Sequence, residues 1–384
     1  MPALELVVTP LDLVRGKALR FAARSKILRR VLARRDTRIA ALGTLQVLLL
    51  LVVTVWCPVA LYFVGPLVLG VAHLAADVRY LVLRTPLPAA LLRASAGLAL
   101  AIAATRAATA GGLVPGAYGT RVDVLLGASW VVTALVFRFR SRPVVATLAT
   151  AAVVFLAALA ISRPRAAELA LTHGHNVIAF VLWIALFRRK LGWGALPIVA
   201  VIAATLLLLT GACQSFTLHH GGMAAFGVSA QRLAASFAPG VGAELGLSIT
   251  MTLVFLQAVH YGVWTGLVPQ ECLRGEGSPT FRMTARSLVA DFRPWGVAAI
   301  AAVMAGFVAV ACRDLRGSVA WYMTLARPHV WLELAMLAFL VGRRGPVAIS
   351  RLERATGEPH PPASPGFHSK TTDLSADSAA VLAA

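Results

Sequence analysis

Apolar runs of about 18 to 24 residues recur along this chain between short polar stretches, and each is long enough to cross roughly 30 Å of hydrocarbon as a helix. They fall near residues 40–57, 61–80, 88–106, 122–138, 143–162, 168–187, 194–211, 246–267, 294–312 and 319–342. The period-two alternation of a lipid-facing barrel is absent. The pattern predicts an all-α, polytopic helical membrane protein with about ten transmembrane helices. No internal repeat is visible, and the histidines do not fall in matching positions of the two halves, which argues against an inverted-repeat carrier.

Three segments follow from the same pattern. Residues 1–38 interleave Arg and Lys with Leu11, Val14, Phe21 and Leu28, predicting a basic amphipathic segment on an anionic cytoplasmic leaflet. Residues 39–344 form the bundle. Residues 345–384, with Pro361-Pro362 and a run of Ser, Thr, Asp and Ala, read as a disordered cytoplasmic tail, which leaves His360 and His368 poor site candidates. Within the bundle, the loop 212–244 carries His219-His220 and an amphipathic stretch from Met223 to Phe237, expected at the membrane interface. The loop 268–293 reads as polar and cytoplasmic.

Charge fixes orientation. The chain has 384 residues, 36 Lys+Arg against 16 Asp+Glu, and a net charge of +20. In a soluble chain that balance suggests nucleic acid. Here the bases cluster in alternate loops, so nucleic-acid binding is set aside and both termini are placed on the cytoplasmic side. The Ala- and Arg-rich composition suits a bacterial cytoplasmic (inner) membrane. Cys57, Cys213, Cys272 and Cys312 show no CxxC spacing and hence no zinc or redox motif. Cys57, Cys213 and Cys312 fall near one membrane face, as packing residues or as a disulfide pair.

Candidate chemistry lies in the ionisable residues inside the runs, which are costly there and functional by default. The second, sixth, eighth and tenth runs share one polarity and carry His73, His173/His175, His260 and His329. At 1.5 Å per residue, His73 and His260 lie roughly 19 Å below the outer surface, Glu333 roughly 21 Å, His329 roughly 15 Å and His175 roughly 10 Å. His73/Asp77 and His329/Glu333 each pair an imidazole with a carboxylate four residues on, so the carboxylate either ligates the same metal or holds the other imidazole nitrogen. His173 and His175, two apart, point to different helix faces, so one of them joins. Gln257, His260 and Trp264 share a face, with Tyr261 beside it.

Each residue has a structural alternative. A membrane histidine also serves as an interhelical hydrogen-bonding group. Asp77 and Arg79 read equally as an interface pair. His219 and His220 sit in a loop. Trp183, Trp264, Trp331 and Tyr322 read as packing or belt residues, or as a lining for an apolar substrate. Arg327 needs a partner. Glu333 is the obvious carboxylate, yet at i,i+6 Arg327 points away from it, outward or toward a bound anion.

The segment Gly70-Val-Ala-His73-Leu-Ala-Ala-Asp77 resembles the Gly-x-Pro-His-Gly-x-x-Asp-His motif of the bacterial membrane carotene-cleaving oxygenases (the Brp/Blh family). The likeness covers His73 and Asp77. Ala72, Leu74 and Val78 stand where that motif has proline, glycine and a second histidine. The resemblance implies a helical membrane protein with histidine-bound iron, His73 as a ligand and Asp77 as its carboxylate partner.

The resulting expectation is an integral-membrane metal-dependent enzyme. His73, His260 and His329 hold non-haem iron, with His175 as a fourth ligand, and Glu333 and Asp77 act as acid–base or ligating carboxylates. Its substrate is an apolar lipid or isoprenoid from the membrane, and its electron donor is unspecified. The alternatives are zinc at the same groups, a b-type haem held by a histidine pair, and a proton-coupled carrier using the His, Asp77, Arg327 and Glu333 groups.

Overall fold

The computed structural model describes residues 2–188, 191–220, 228–238, 240–272 and 278–341, with side chains described from residue 8 onward. The expected tail from residue 345, and residues 221–227 of the expected interfacial stretch, lie outside the described residues. Among the described residues every regular element is helical and no strand occurs. Among the described residues, nine helices are long and apolar enough to cross a membrane. They are α3 (Arg35–Trp56), α4 (Pro58–Leu83), α5 (Ala89–Ala110), α6 (Gly116–Arg138), α7 (Pro143–Ser162), α8 (Pro164–Phe187), α9 (Gly192–Leu209), α12 (Ala243–Glu271) and α13 (Phe281–Ala311). The expected tenth run is also helical, as α14 (Leu315–Leu340), but it falls outside that set because polar residues such as Arg327, His329 and Glu333 lower its mean hydropathy.

Local chemistry sets the helix ends. Pro58, Pro143 and Pro164 open α4, α7 and α8 at the first position, where the missing N–H costs nothing. The side chains of Thr280 and Asp314 cap α13 and α14 by accepting from the N–H groups of Met283 and Gly317.

Burial sorts the helices. In α12, 83% of the most apolar window is buried inside the bundle; in α7 the figure is 0%. Helix α12 is therefore the central post, and α7 is peripheral. Helix α14 packs on α5, α6, α8 and α13, and Gly127 of α6 is where a side chain would collide with the Trp331 ring.

Helices α4, α8 and α12 share a further feature. Each contains π-helical turns: Pro66–Gly70 inside α4 and Val78–Leu83 at its end, Trp183–Phe187 at the end of α8, and Val263–Leu267 inside α12. An inserted residue of this kind rotates the side chains that follow and marks functional positions in many helices.

Three expectations change. The N-terminal segment is two helices, α1 (Pro2–Ala22) and α2 (Lys26–Ala33), broken where Ser25 caps α2. Helix α1 is docked on α13: the Asp12 carboxylate accepts the N–H groups of Phe281 at 2.7 Å and Arg282 at 3.0 Å, a favourable place for a negative charge. The loop 268–293 is shorter than expected, since α12 runs to Glu271 and α13 starts at Phe281. Helix α13 bends at Arg293 (φ 61°), just before Pro294: the following proline disfavours the α region there, and the positive φ is a strained conformation for arginine. Finally, α10 (Gln214–His220) and α11 (Ala230–Phe237) fill the expected outer loop, and α11 packs against α12 through Leu233 and Ala234.

Candidate metal centre

Four helices bring four imidazoles into one place. His73 comes from α4, His175 from α8, His260 from α12 and His329 from α14. The ring centroids of His73 lie 5.2 Å from His260 and 4.9 Å from His329. Those of His175 lie 5.3 Å from His260 and 5.4 Å from His329, and His260 is 6.0 Å from His329. One ligating nitrogen from each of His73, His260 and His329 lies within 4.8 Å of the others. Imidazoles sharing one metal at about 2.1 Å stand with centroids roughly 5 Å apart. The quadrangle has that size.

The hydrogen bonding orients the rings. His175 Nδ1 faces its own helix at Leu171 O, 2.8 Å away, and His329 Nδ1 bonds Ala326 O. A ring that donates Nδ1–H to a carbonyl keeps its lone pair on Nε2. Pro328 lies inside α14 immediately before His329, where it removes one helical N–H and loosens the local ladder. His329 Nε2 and the ring nitrogens of His73 and His260 are buried with no hydrogen bond of good geometry, although Glu333 Oε1 lies 3.4 Å from His260 Nε2 and the backbones of Gly70 and Asn176 lie beside His73 and His260. His73 and His260 are fully excluded from solvent. Buried polar atoms left unpaired cost about 1–3 kcal/mol each, so such a concentration suits a group that binds them all.

The carboxylates complete the surroundings. Glu333 is fully buried, its Oε1 accepts the indole N–H of Trp264 at 2.6 Å, and the same oxygen lies 3.4 Å from His260 Nε2. Two donors bound tetrahedrally to one metal at about 2.1 Å are about 3.4 Å apart. Glu333 Oε2 and both Asp77 oxygens are buried with no partner. Unpaired buried carboxylates are costly and call for a cation or a proton. The donor set is therefore nitrogen-rich with flanking oxygen and no thiolate, which suits iron or zinc. Tyr261 stacks on His73 at 4.4 Å between centroids, and its hydroxyl accepts from Gln257 Nε2 at 2.8 Å.

Two openings reach this cluster. A polar cavity of about 310 Å³ has His175, His329, Tyr261, Arg106, Glu168 and Arg327 in its wall. An apolar groove of about 480 Å³ between α6, α7, α8 and α14 also ends on His175.

Several placements differ from the sequence reading. His175, expected a turn or more above the others, is level with them to within ring contact. Of His173 and His175, between which the sequence reading left the choice open, His175 is the ring that meets the others, and His219 and His220, read as loop residues outside the site, meet edge to face within α10. Arg327 does not meet Glu333. It donates to Asp123 Oδ2 at 2.7 Å and to Glu168 Oε2 at 3.3 Å, because six residues along a helix place Arg327 and Glu333 on different faces. Arg79 pairs with Asp291 at 2.6 Å, not with Asp77. The four cysteines are free. Trp264 and Trp331 are hydrogen-bond donors inside the bundle, to Glu333 and Asp123, rather than belt residues.

Asp123 and Glu168 escaped the sequence reading. Each sits at the N-terminal end of an apolar run and resembles an ordinary loop charge. The usable signal was the unpaired Arg327, which demanded acidic partners on neighbouring helices. Comparison of the chain with known family models, with curated proteins and with solved structures gives no match.

Proposed function

We propose that this chain is an integral-membrane, metal-dependent oxygenase with both termini on the cytoplasmic side of a bacterial inner membrane. In this reading His73, His175, His260 and His329 hold one non-haem iron, Glu333 stands at the edge of that shell, and Asp77 lies one turn beyond His73. The observation that carries it is the convergence of imidazoles from four helices, three of which, His73, His260 and His329, bring a buried ligating nitrogen each to within 4.8 Å of the others.

Iron in such a site supplies dioxygen activation. The chain supplies the rest. Leu171 O and Ala326 O set the orientation of His175 and His329, and Trp264 fixes Glu333 beside His260. Burial of His73, His260 and Glu333 keeps bulk water away from the reacting centre. The substrate is a lipid or isoprenoid. Oxidative cleavage of a carbon–carbon double bond places both oxygens of O₂ in the two carbonyl products and needs no external electron donor. The likeness around His73 and Asp77 to carotene-cleaving oxygenases favours that reaction over hydroxylation or desaturation, each of which takes two electrons from a donor.

The haem alternative is disfavoured by distance. The pair that lies at one depth in the sequence, His73 and His260, has ring centroids 5.2 Å apart, closer than the roughly 6 Å that two axial imidazoles on one haem need.

The test is turnover. Iron-loaded protein is incubated under ¹⁸O₂ with carotenoids and, separately, with unsaturated long-chain lipids, and products are analysed by mass spectrometry. Labelled carbonyl products that disappear in His260→Ala are expected. Intact, iron-loaded protein that converts neither class sinks the oxygenase reading.

A further inference from the structure

The groove and the cavity meet at His175 but differ in chemistry. The cavity wall carries Arg106, Glu168 and Arg327. In the groove, His175 is the titratable lining residue, and the others are aliphatic or glycine apart from Trp331. Trp331 commits its N–H to Asp123 at 2.9 Å, so it offers the groove a ring face and no free donor.

The sequence builds the groove with small residues at helical spacing. Val153, Ala157 and Ala160 line it from α7, and Ala167, Ala170 and Gly174 from α8. These are successive turns of one face on each helix. A Cβ placed on Gly174 meets nothing within 4 Å, so the space beside His175 is open. The outer wall is α7, which has no buried residue and, at 2.6, the highest mean hydropathy of the nine candidate spans. The groove thus faces the surroundings of the most apolar helix.

A polar or charged ligand group entering the groove would lose water and find no partner beyond His175. A hydrocarbon chain loses nothing, and about 480 Å³ is within the range that holds a ligand of moderate size. We propose that this groove binds the uncharged long hydrocarbon chain of a membrane-dissolved substrate and presents it to His175, so that the reacting carbons belong to the chain and not to a polar head group. The catalytic meaning rests on the metal-centre reading above, but occupancy of the groove does not.

An uncharged long-chain alkyl diazirine tests it. The probe is photolysed with the purified full-length protein, with and without bound iron, and adducts are mapped by mass spectrometry. Expected are adducts within 153–160 and 167–178 in both preparations. Gly174→Leu and Ala157→Phe should each reduce them at least fivefold with iron content and melting temperature unchanged, while Arg106→Ala should leave them intact. Replacing a helical glycine with leucine favours the helix, so the first variant is expected to fold. Adducts concentrated within 253–261 and 320–330, along the polar cavity, overturn the proposal, as does labelling undiminished by both filling substitutions. Groove labelling in a protein that takes up no iron removes the metal reading and leaves the groove. Iron uptake without groove labelling does the reverse.

Discussion

Trp264 and Glu333, on different helices and both fully buried, are joined by an N–H···O bond of 2.6 Å. The bond aims Glu333 Oε1 at His260, 3.4 Å away. Trp264 lies within a π-helical turn that begins just after His260, so the irregular turn carries the group that holds the carboxylate in place. Trp264→Phe keeps an aromatic ring, removes the donor and leaves a small cavity where the second ring was. It should weaken metal affinity roughly 10- to 100-fold with helical content retained, measured by chelator competition and circular dichroism. Glu333→Gln should lose at least as much. Wild-type affinity in both variants would detach this pair from the metal site.

The Asp123–Arg327 pair is a separate support. Asp123 accepts from Arg327 at 2.7 Å and from the Trp331 indole at 2.9 Å, so it grips α14 on both sides of His329. Removing Asp123 leaves a buried guanidinium with only the longer contact to Glu168. Asp123→Ala should therefore destabilise the fold by about 3–5 kcal/mol, read as a fall in the denaturant midpoint in detergent. Asp123→Ala combined with Arg327→Met should recover a large part of that loss. A double variant as unstable as the sum of the singles would show that the pair is not coupled.

Histidine substitutions separate ligands from neighbours. His73→Ala, His260→Ala and His329→Ala should each abolish stoichiometric metal binding, and His175→Ala should lower affinity at least tenfold. His173→Ala, His219→Ala and His220→Ala should bind as the wild type does, because their rings lie outside the quadrangle. Metal counts by mass spectrometry on folded, monodisperse protein decide this. Loss of metal in the His219 or His220 variant would place a ligand where this arrangement has none.

Metal removal should also cost stability. A metal that binds only the folded state adds about 2.7 kcal/mol at a free concentration of 100 times its Kd. Extended chelation should lower the thermal midpoint, and returning Fe(II) should restore it. An unchanged midpoint after complete metal removal would mean that the histidines are satisfied without a metal.

Much of the fold was legible because composition and length alone identify an apolar helix, and the histidines stood out because ionisable groups are rare in such runs. What escaped notice depends on contacts between helices. Straight, parallel rods placed His175 a turn too high, whereas helices tilt and side chains reach several ångströms. The partners of Arg327 lie more than 150 residues away in sequence, on α6 and α8, where local spacing has no view of them. The π-helical turns beside the site carry no simple sequence signature. The helical start of α13 was hidden because Phe281–Phe292 is too polar to read as a span, yet it docks on α1. The likeness to carotene-cleaving oxygenases reaches His73 and Asp77, and the other three histidines were singled out as rare ionisable groups within apolar runs.

The most direct test of the metal centre is a metal analysis and an absorption spectrum taken on one detergent-purified sample. One iron per chain with no Soret band is the predicted result. A Soret band, or a well-folded protein that remains metal-free after anaerobic incubation with Fe(II), would contradict it.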